Sequence, residues 1–216
     1  TQKNIFTRQK TTGGSTGAAV TIYKNSKAMA DEYAAAWRGY SWAGIKIGDK
    51  QIRFWGVPYT SNKGKLRAQL IDFICNRYRV SAFGYESDIW IKHYEKIKNL
   101  HPDYFYGYVS ILKEFAQLVE EKGKIDSLKL KAIITTSEFL SNTDREYLSN
   151  VFNCNIYNEY GCGEVNTIAH ECSHGSLHIN SENLVIELVD NSGNVVPKGQ
   201  EGEVVVTDLN NMTMPL

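Results

Sequence analysis

The fold is decided by a strand–helix–strand pattern in residues 130–157, which read LKAIITTSEFLSNTDREYLSNVFNCNIY. The apolar run 130–135 is typical of a buried strand, and residues 142–152 have the spacing of an amphipathic helix. A second apolar run, 154–157, predicts another strand. Strands joined through a helix in this way lie parallel, with a right-handed connection. The pattern therefore predicts a parallel sheet with a helix on one face.

The same alternation extends towards the amino end of the chain. It predicts helices over 66–77, 87–99 and 110–122, and strands near 79–84 and 104–108. Because strands that alternate with helices form parallel sheets covered on both faces, the sequence predicts an α/β fold with three layers.

The carboxyl end of the chain has a different pattern, with short β-branched runs at 177–179, 184–188 and 203–206. Turn-forming Asn, Gly and Pro residues separate the last two runs, as in antiparallel sheets. We therefore expect residues 1–175 to form an α/β nucleotide-binding region and residues 176–216 to begin a β-rich, barrel-like subdomain.

A cluster of glycine and hydroxyl residues, TTGGSTG, occupies residues 11–17. A strand over 19–23 follows it, and then a helix over 26–43 for which Ser26 is the expected N-cap. Glycine N–H groups and Thr or Ser hydroxyls can wrap a polyphosphate. The cluster has neither the Lys-Ser or Lys-Thr of a Walker loop nor the spacing of a dinucleotide-binding loop. It is thus either another kind of phosphate loop or an ordinary surface loop.

Composition and charge exclude several classes of protein. The 216 residues carry 24 basic and 24 acidic side chains, and this balance argues against a dedicated nucleic-acid-binding protein. The apolar runs are too short to cross a bilayer and the polar start has no signal-peptide pattern, so we expect a cytoplasmic protein with no membrane partner. The chain begins without methionine and stops directly after a strand-like stretch, so we expect a partial chain.

Three segments resemble motifs of the adenylate-forming superfamily, which includes acyl-CoA ligases, luciferases and nonribosomal peptide adenylation domains. Residues 11–17 resemble its phosphate loop, and residues 156–164, IYNEYGCGE, resemble its Tyr-Gly-x-Thr-Glu signature. Residues 202–209, GEVVVTDL, and 214–216, MPL, resemble a stretch of the phenylacetate-CoA ligase branch and its relatives in capsular polysaccharide biosynthesis. The matches occur in the family's order, and the chain is identified as a fragment of the N-terminal domain of such an enzyme.

The resemblance implies a ligase that uses MgATP to convert a carboxylic acid into an acyl adenylate and then forms a thioester, with coenzyme A as the thiol. The phosphate loop would close over the β and γ phosphates, with Thr16 as a catalytic donor. Tyr160 would stack on adenine, and Glu164 would act in catalysis by holding Mg²⁺. The residues implied to bind the nucleotide are Thr11, Thr12, Gly13, Gly14, Ser15, Thr16, Gly17, Ser137, Glu138, Asn158, Glu159, Tyr160 and Gly161.

Two groups of residues are implied to line pockets at the ends of strands. Ser137 and Glu138 would line the adenine pocket, although Ser137 has an alternative interpretation as the N-cap of the next helix. Trp55, Gly107 and Tyr108 would line the pocket for the carboxylic acid, and the alternative for Trp55 is a place in the core.

The sequence also departs from the family's pattern. Ala18-Ala19-Val20 stands where the family has Pro-Lys, and Cys162-Gly163 replaces the hydroxyl-bearing pair before Glu164. The end of the ribose-binding signature and the C-terminal domain with its catalytic lysine are absent from the sequence, so we expect this fragment to be a poor catalyst by itself. These departures leave a second hypothesis open, a catalytically impaired binding or assembly module of capsular polysaccharide biosynthesis.

A histidine and cysteine cluster allows a third hypothesis. His170, Cys172 and His174 alternate along an extended stretch, with Cys162 and His178 nearby, and such ligands suit Zn²⁺. The spacing is not that of a zinc finger, so the cluster is either a zinc site of a metal-dependent hydrolase or an ordinary loop. The partners expected overall are a small carboxylic acid, ATP and coenzyme A, without nucleic acid, and a homodimer is a further hypothesis.

Overall fold

A computed structural model describes residues 7–11, 20–56, 62–81, 87–125 and 128–214. The helices in these ranges are α1 Ser26–Trp42, α2 Asn62–Ile74, α3 Ser87–Leu100, α4 Val109–Lys122 and α5 Asn142–Phe152. The strands are β1 Thr7–Thr11, β2 Thr21–Asn25, β3 Gln51–Trp55, β4 Arg77–Ser81, β5 Tyr104–Gly107, β6 Ala132–Thr136, β7 Asn155–Cys162, β8 Asn166–Glu171, β9 Leu177–Ile179, β10 Leu184–Val189 and β11 Glu203–Asp208. None of these helices combines the length and the apolar character needed to span a bilayer.

The chain divides into two compact units. The first contains Thr1–Ala36, Tyr160–His170 and His178–Leu216, as far as these residues are described, and the second contains Trp37–Glu159 and Glu171–Leu177. The sequence-based division at residue 175 stays a prediction.

Parallel strand pairs form the second unit. β3 pairs in parallel with β4 and with β5, β5 with β6, and β6 with β7. These strands belong to a seven-stranded sheet with the order β4-β3-β5-β6-β7-β8-β9. The predicted α/β fold, a parallel sheet with flanking helices, is confirmed.

Two apolar layers cover the faces of these parallel strands. Along β5, Phe105 belongs to one buried cluster, whereas Tyr104 and Tyr106 belong to another. This alternation follows from the two-residue period of a strand. The first cluster includes Leu112 of α4 and Leu148 of α5, so these helices cover that face of the sheet.

Antiparallel pairs characterise the first unit, as predicted for the carboxyl end of the chain. β1 pairs with β2 and β10 pairs with β11, both antiparallel. A charged cluster is buried within the unit: the Lys24 side chain is 2% exposed and its ammonium group forms ion pairs with Glu32 and, at 3.6 Å, with Asp208. A buried charge is tolerated only when it is paired, so Lys24 must keep both carboxylates close to it. The cluster therefore holds β2, α1 and β11 together.

Several element boundaries differ from the predictions, and two of these differences have clear physical reasons. The helix predicted over 66–77 ends at Ile74 because Asn76 adopts the left-handed conformation, with φ of 49°, which stops a helix. The strand predicted over 154–157 continues to Cys162, because polar residues beyond the apolar run are still paired in the sheet. β8 was not predicted as a strand.

The N-cap of α1 lies one residue earlier than predicted. Ser26 is the first residue of the helix, and the side chain of Asn25 accepts a hydrogen bond of 2.8 Å from the Ala28 backbone N–H. Asn caps helices as well as Ser does, so the sequence alone could not choose between two adjacent candidates.

Two side chains hydrogen-bond backbone groups of β7. The Arg145 guanidinium donates to the carbonyl of Ile156, and the Glu171 carboxylate accepts from the N–H of Asn158 at 2.8 Å. Arg145 and Glu171 also form an ion pair of 2.8 Å with each other. The two side chains therefore satisfy strand backbone groups that would otherwise lack partners.

Candidate functional site

The Tyr-Gly-x-x-Glu segment forms a strand end and a tight turn in the first unit. β7 ends at Cys162 and β8 begins at Asn166. Tyr160 is 45% exposed and the Glu164 side chain is half-buried, so both groups are open to solvent. A Cβ atom at Gly161 would lie 2.1 Å from the Asn166 carbonyl oxygen, so the close approach of these two backbones requires glycine.

Lys10 lies near Glu164, at the point where β1 leads into the predicted phosphate loop. In the β1–β2 hairpin Lys10 is opposite Ile22, which is fully buried, so the lysine side chain points to the inner face. Burial lowers the pKa of Lys10, and the nearby Cys162 and Glu164 act in the opposite direction. Thr11, the last residue of β1, is exposed, while Thr12, Gly13, Gly14, Ser15, Thr16 and Gly17 lie outside the described residues. Their contact with phosphate stays a prediction.

The residues predicted for the acid pocket come together in the second unit, at the carboxyl ends of β3 and β5. The Trp55 and Tyr108 rings stack with their centres 4.6 Å apart, and Trp55 also stacks on Tyr106 at 5.8 Å. Trp55 and Tyr108 are half-buried, so each has an apolar contact and an open side. Such strand ends are where open α/β sheets bind ligands. Gly107 lies against Phe54, and its lack of a side chain is required by that contact.

Glu159 is the centre of a buried hydrogen-bond network in the second unit. Its carboxylate accepts bonds of 3.0 Å from the Tyr40 and Tyr106 hydroxyls and of 3.2 Å from the Thr136 hydroxyl. Burial raises the pKa of Glu159, and these hydroxyls and the Arg53 charge oppose the rise. The side chain is 6% exposed, so its main contacts are internal and its predicted contact with a nucleotide stays a prediction.

Ser137 and Glu138 lie between β6 and α5. The Glu138 carboxylate accepts hydrogen bonds from the Ser110 N–H at 2.7 Å and from the Ser110 hydroxyl at 2.8 Å. It thereby provides an acceptor for a backbone N–H in the first turn of α4, which has none within the helix. The alternative interpretation of Ser137 as an N-cap is wrong, because Ser141 caps α5 by accepting from the Asp144 N–H. The predicted place of Ser137 and Glu138 in an adenine pocket stays a prediction.

The histidine and cysteine residues do not form a metal site. His170 is buried in β8, Cys172 is half-buried, and His174 and His178 are exposed. Among the residues that the structure describes, which include these four, no three His, Cys, Asp or Glu side chains are arranged to hold a metal ion. The zinc hypothesis and the hydrolase built on it therefore have no support from the geometry.

Arg53 is a candidate functional residue that the sequence interpretation missed. Its guanidinium lies over the rings of Trp55 and Tyr106, at 4.8 Å and 4.7 Å from their centres. Positions 53 and 55 of a strand share one face, so the prediction of Trp55 as a pocket residue could have led to Arg53.

A polar pocket of about 440 Å³ lies elsewhere in the second unit, beside the Arg145–Glu171 pair. Its lining combines amide, hydroxyl and thiol groups from α5, the start of β7 and the loop after β8: Asn142, Ser149, Asn155, Cys172 and Ser173.

Comparison with known proteins agrees with the motifs. No family model matches the chain. Over 206 residues the chain is 25% identical to Protein CapK of Staphylococcus aureus, a match that covers 95% of this chain and 44% of CapK. The chain thus spans less than half the length of this curated relative.

Solved structures of acyl-CoA ligases have the same fold. A 2-hydroxyisobutyryl-CoA ligase, in an open conformation with 2-HIB-AMP and CoA, matches with a TM-score of 0.73 and 18% identity over 100% of this chain and 51% of that one. A long-chain-fatty-acid-CoA ligase from Archaeoglobus fulgidus matches with a TM-score of 0.65 and 15% identity over 96% of this chain and 43% of that one. The resemblance to adenylate-forming ligases is thereby confirmed for the fold, and the chain folds as acyl-CoA ligases do over roughly half of their length.

Proposed function

We propose that the chain is the nucleotide-binding part of an adenylate-forming ligase that activates a carboxylic acid with MgATP. The observation that supports this most is that Glu164 is close enough to Lys10, at the base of the segment 11–17, for the two charges to interact. A carboxylate that holds Mg²⁺ must stand close to the phosphates that the metal neutralises, and a nearby lysine adds positive charge for the same phosphates.

In the proposed half-reaction an oxygen of the acid attacks the α phosphorus of ATP while the bond to pyrophosphate breaks. Hydroxyl and N–H donors of residues 11–17 would stabilise the charge that develops on the leaving pyrophosphate. Mg²⁺, when bound, would supply further neutralisation of the phosphate oxygens, and one carboxylate with water is a usual ligand set for this ion. Tyr160, with its exposed ring, would stack on adenine.

The acid would bind beside Trp55 and Tyr108, whose half-buried rings offer apolar contact. Coenzyme A as the acceptor is proposed from the 2-hydroxyisobutyryl-CoA ligase, which holds CoA together with its acyl adenylate. We propose three further properties from the sequence motifs: a reaction of the phenylacetate-CoA ligase type, with the acid itself left open, a cytoplasmic location and a place in capsular polysaccharide biosynthesis.

Calorimetry with ATP, in the presence and absence of Mg²⁺, and with an acyl-sulfamoyl adenosine tests the proposal. The wild-type chain should bind both ligands. Glu164→Gln should abolish the effect of Mg²⁺ on ATP binding. Tyr160→Ala should weaken the binding of both ligands about fivefold or more, because a base–aromatic stack contributes about 1–3 kcal/mol. The control is Glu187→Gln, which removes an exposed carboxylate of the same unit and should change neither.

A wild-type chain that binds neither ligand would contradict the proposal. That outcome would favour the binding or assembly module, for which the altered loop at Ala18-Ala19-Val20 is the supporting observation.

A further inference from the structure

The guanidinium group of Arg53 lies against two aromatic rings, and among the residues that the structure describes its Nε atom has no acceptor. Its Cζ atom lies within 5 Å of the ring centres of Trp55 and Tyr106. Its Nε atom is buried and has no hydrogen-bond partner among the residues described. A buried donor without an acceptor is costly, and such a donor in a native protein usually meets water or a ligand.

The Glu159 carboxylate does not act as this acceptor. Glu159 is close enough for its charge to interact with that of Arg53, but its carboxylate accepts hydrogen bonds from hydroxyl groups of Tyr40, Tyr106 and Thr136. Within the described ranges, no ion pair joins Arg53 to a carboxylate. The stacking on two rings fixes the plane of the guanidinium while leaving its N–H groups for another acceptor.

We propose that Arg53 binds a carboxylate of the substrate, and that the substrate is a dicarboxylic acid. This inference depends on the proposed function, because it places Arg53 in the acid pocket with Trp55 and Tyr108. A planar guanidinium binds a carboxylate through two parallel hydrogen bonds. The carboxylate that attacks ATP must keep its negative charge available for the phosphorus, and a bidentate pair with Arg53 would withdraw that charge. The group bound by Arg53 is therefore the second carboxylate.

Binding of matched acids to the 216-residue chain tests this inference. The probes are succinate, glutarate and adipate, each compared with its monoamide, which has nearly the same shape but only one carboxylate. Calorimetry measures affinity. The chain has four tryptophans, so binding next to the Trp55 ring is reported by the part of the fluorescence change that Trp55→Phe removes. We expect at least one diacid to bind about tenfold more tightly than its monoamide, as a charge-assisted pair requires.

Two substitutions and a control assign the preference to Arg53. Arg53→Met should abolish the difference between the diacid and its monoamide, and Arg53→Lys, which keeps the charge but not the planar fork, should retain part of it. The control is Arg38→Met, because Arg38 also lies over a tryptophan ring, that of Trp42 at 5.9 Å, but is exposed. If circular dichroism shows that Arg53→Met does not fold, Arg53→Lys decides.

The inference is overturned if no diacid binds better than its monoamide, or if the Arg53 variants keep the full preference. Nucleotide binding is measured separately. A chain that prefers diacids through Arg53 but binds no ATP would contradict the proposed function alone, and a chain that binds MgATP without any preference for diacids would contradict only the role of Arg53.

Discussion

At Gly107, two neighbouring parallel strands approach so closely that they exclude any side chain. A Cβ atom there would lie 2.3 Å from the carbonyl oxygen of Phe54 and 2.6 Å from its Cβ. We expect Gly107→Ala to lower the free energy of unfolding by about 1–3 kcal/mol, as overpacking does, in urea denaturation. Gly64→Ala, at an exposed position of α2, is the control and should be neutral or stabilising. Equal stability of the two variants would mean that β3 and β5 separate easily.

The buried Glu159 should make stability depend on pH. Burial raises the pKa of this carboxyl group, so the folded protein holds its proton more tightly than the unfolded chain does. The contribution of Glu159 to stability is fully present below the pKa of an unfolded glutamate, about 4.3, and is lost as the pH rises through the raised value. Glu159→Gln removes this dependence. The free energy of unfolding of the wild type minus that of the variant should therefore fall as the pH rises from about 4 towards neutrality.

Urea denaturation at several pH values measures this difference. Glu187→Gln, at an exposed position, serves as the control and should follow the wild type. A difference between wild type and Glu159→Gln that does not change with pH would show that the carboxyl group titrates alike in both states.

At the scale of single elements, the N-cap of α5 depends on one hydroxyl group. The Ser141 Oγ accepts a bond of 3.0 Å from the Asp144 N–H. We expect Ser141→Ala to lower the free energy of unfolding by about 0.5–2 kcal/mol in urea denaturation. Ser137→Ala removes a hydroxyl four residues earlier that does not cap α5, and it should cost less. A larger loss for Ser137→Ala would restore the interpretation that Ser137 is the cap.

The buried lysine of β2 should contribute far more to the stability of the fold than an exposed lysine does. Lys24→Met would leave Glu32 and Asp208 inside the first unit without their cation, and loss of one partner of a buried pair costs about 3–5 kcal/mol. Lys27→Met is the control: its ion pair with Asp31 is exposed, so its loss should cost less than about 1 kcal/mol. Thermal and urea unfolding measure both. Similar losses would show that the Lys24 cluster is already solvated.

The helices and strands differ in how well the sequence predicts them. α5 was predicted over its observed range because its amphipathic pattern is local, although Ser137, and not the actual cap Ser141, was the candidate N-cap. β8 was not predicted, because its partners come from elsewhere in the chain and its own residues, Asn166–Glu171, have no clear alternation.

Across the whole molecule, hydrogen exchange should separate the central strands from the peripheral ones. Every residue of β5 and β6 is buried, whereas all three residues of β9 and three of the six residues of β11 are exposed. Backbone groups of buried central strands exchange only through large openings. We expect the amides of β5 and β6 to exchange most slowly in mass-spectrometric measurements and those of β9 and β11 much faster. Equal protection of β6 and β11 would contradict this ranking.

The candidate site was predictable where its residues are close in sequence. Tyr160 and Gly161 at the end of β7 and Glu164 in the turn that follows lie within five consecutive residues, so a local motif identified them. Arg53 was missed, because its environment depends on rings from β3 and β5 that only the folded sheet brings together. Lys10 was missed for a similar reason, since its proximity to Glu164 joins positions more than 150 residues apart.

The ion pair of Arg145 and Glu171 has a consequence for behaviour in concentrated solution. Each partner occupies one peptide group of β7, a strand that lies between β6 and β8, so the Ile156 carbonyl and the Asn158 N–H need no bond from water or from another chain. Exposed peptide groups of this kind are what allow proteins to join edge to edge into aggregates. Loss of this ion pair would leave both peptide groups of β7 without their present partners. We expect the first sign of that loss to be lower solubility of the protein.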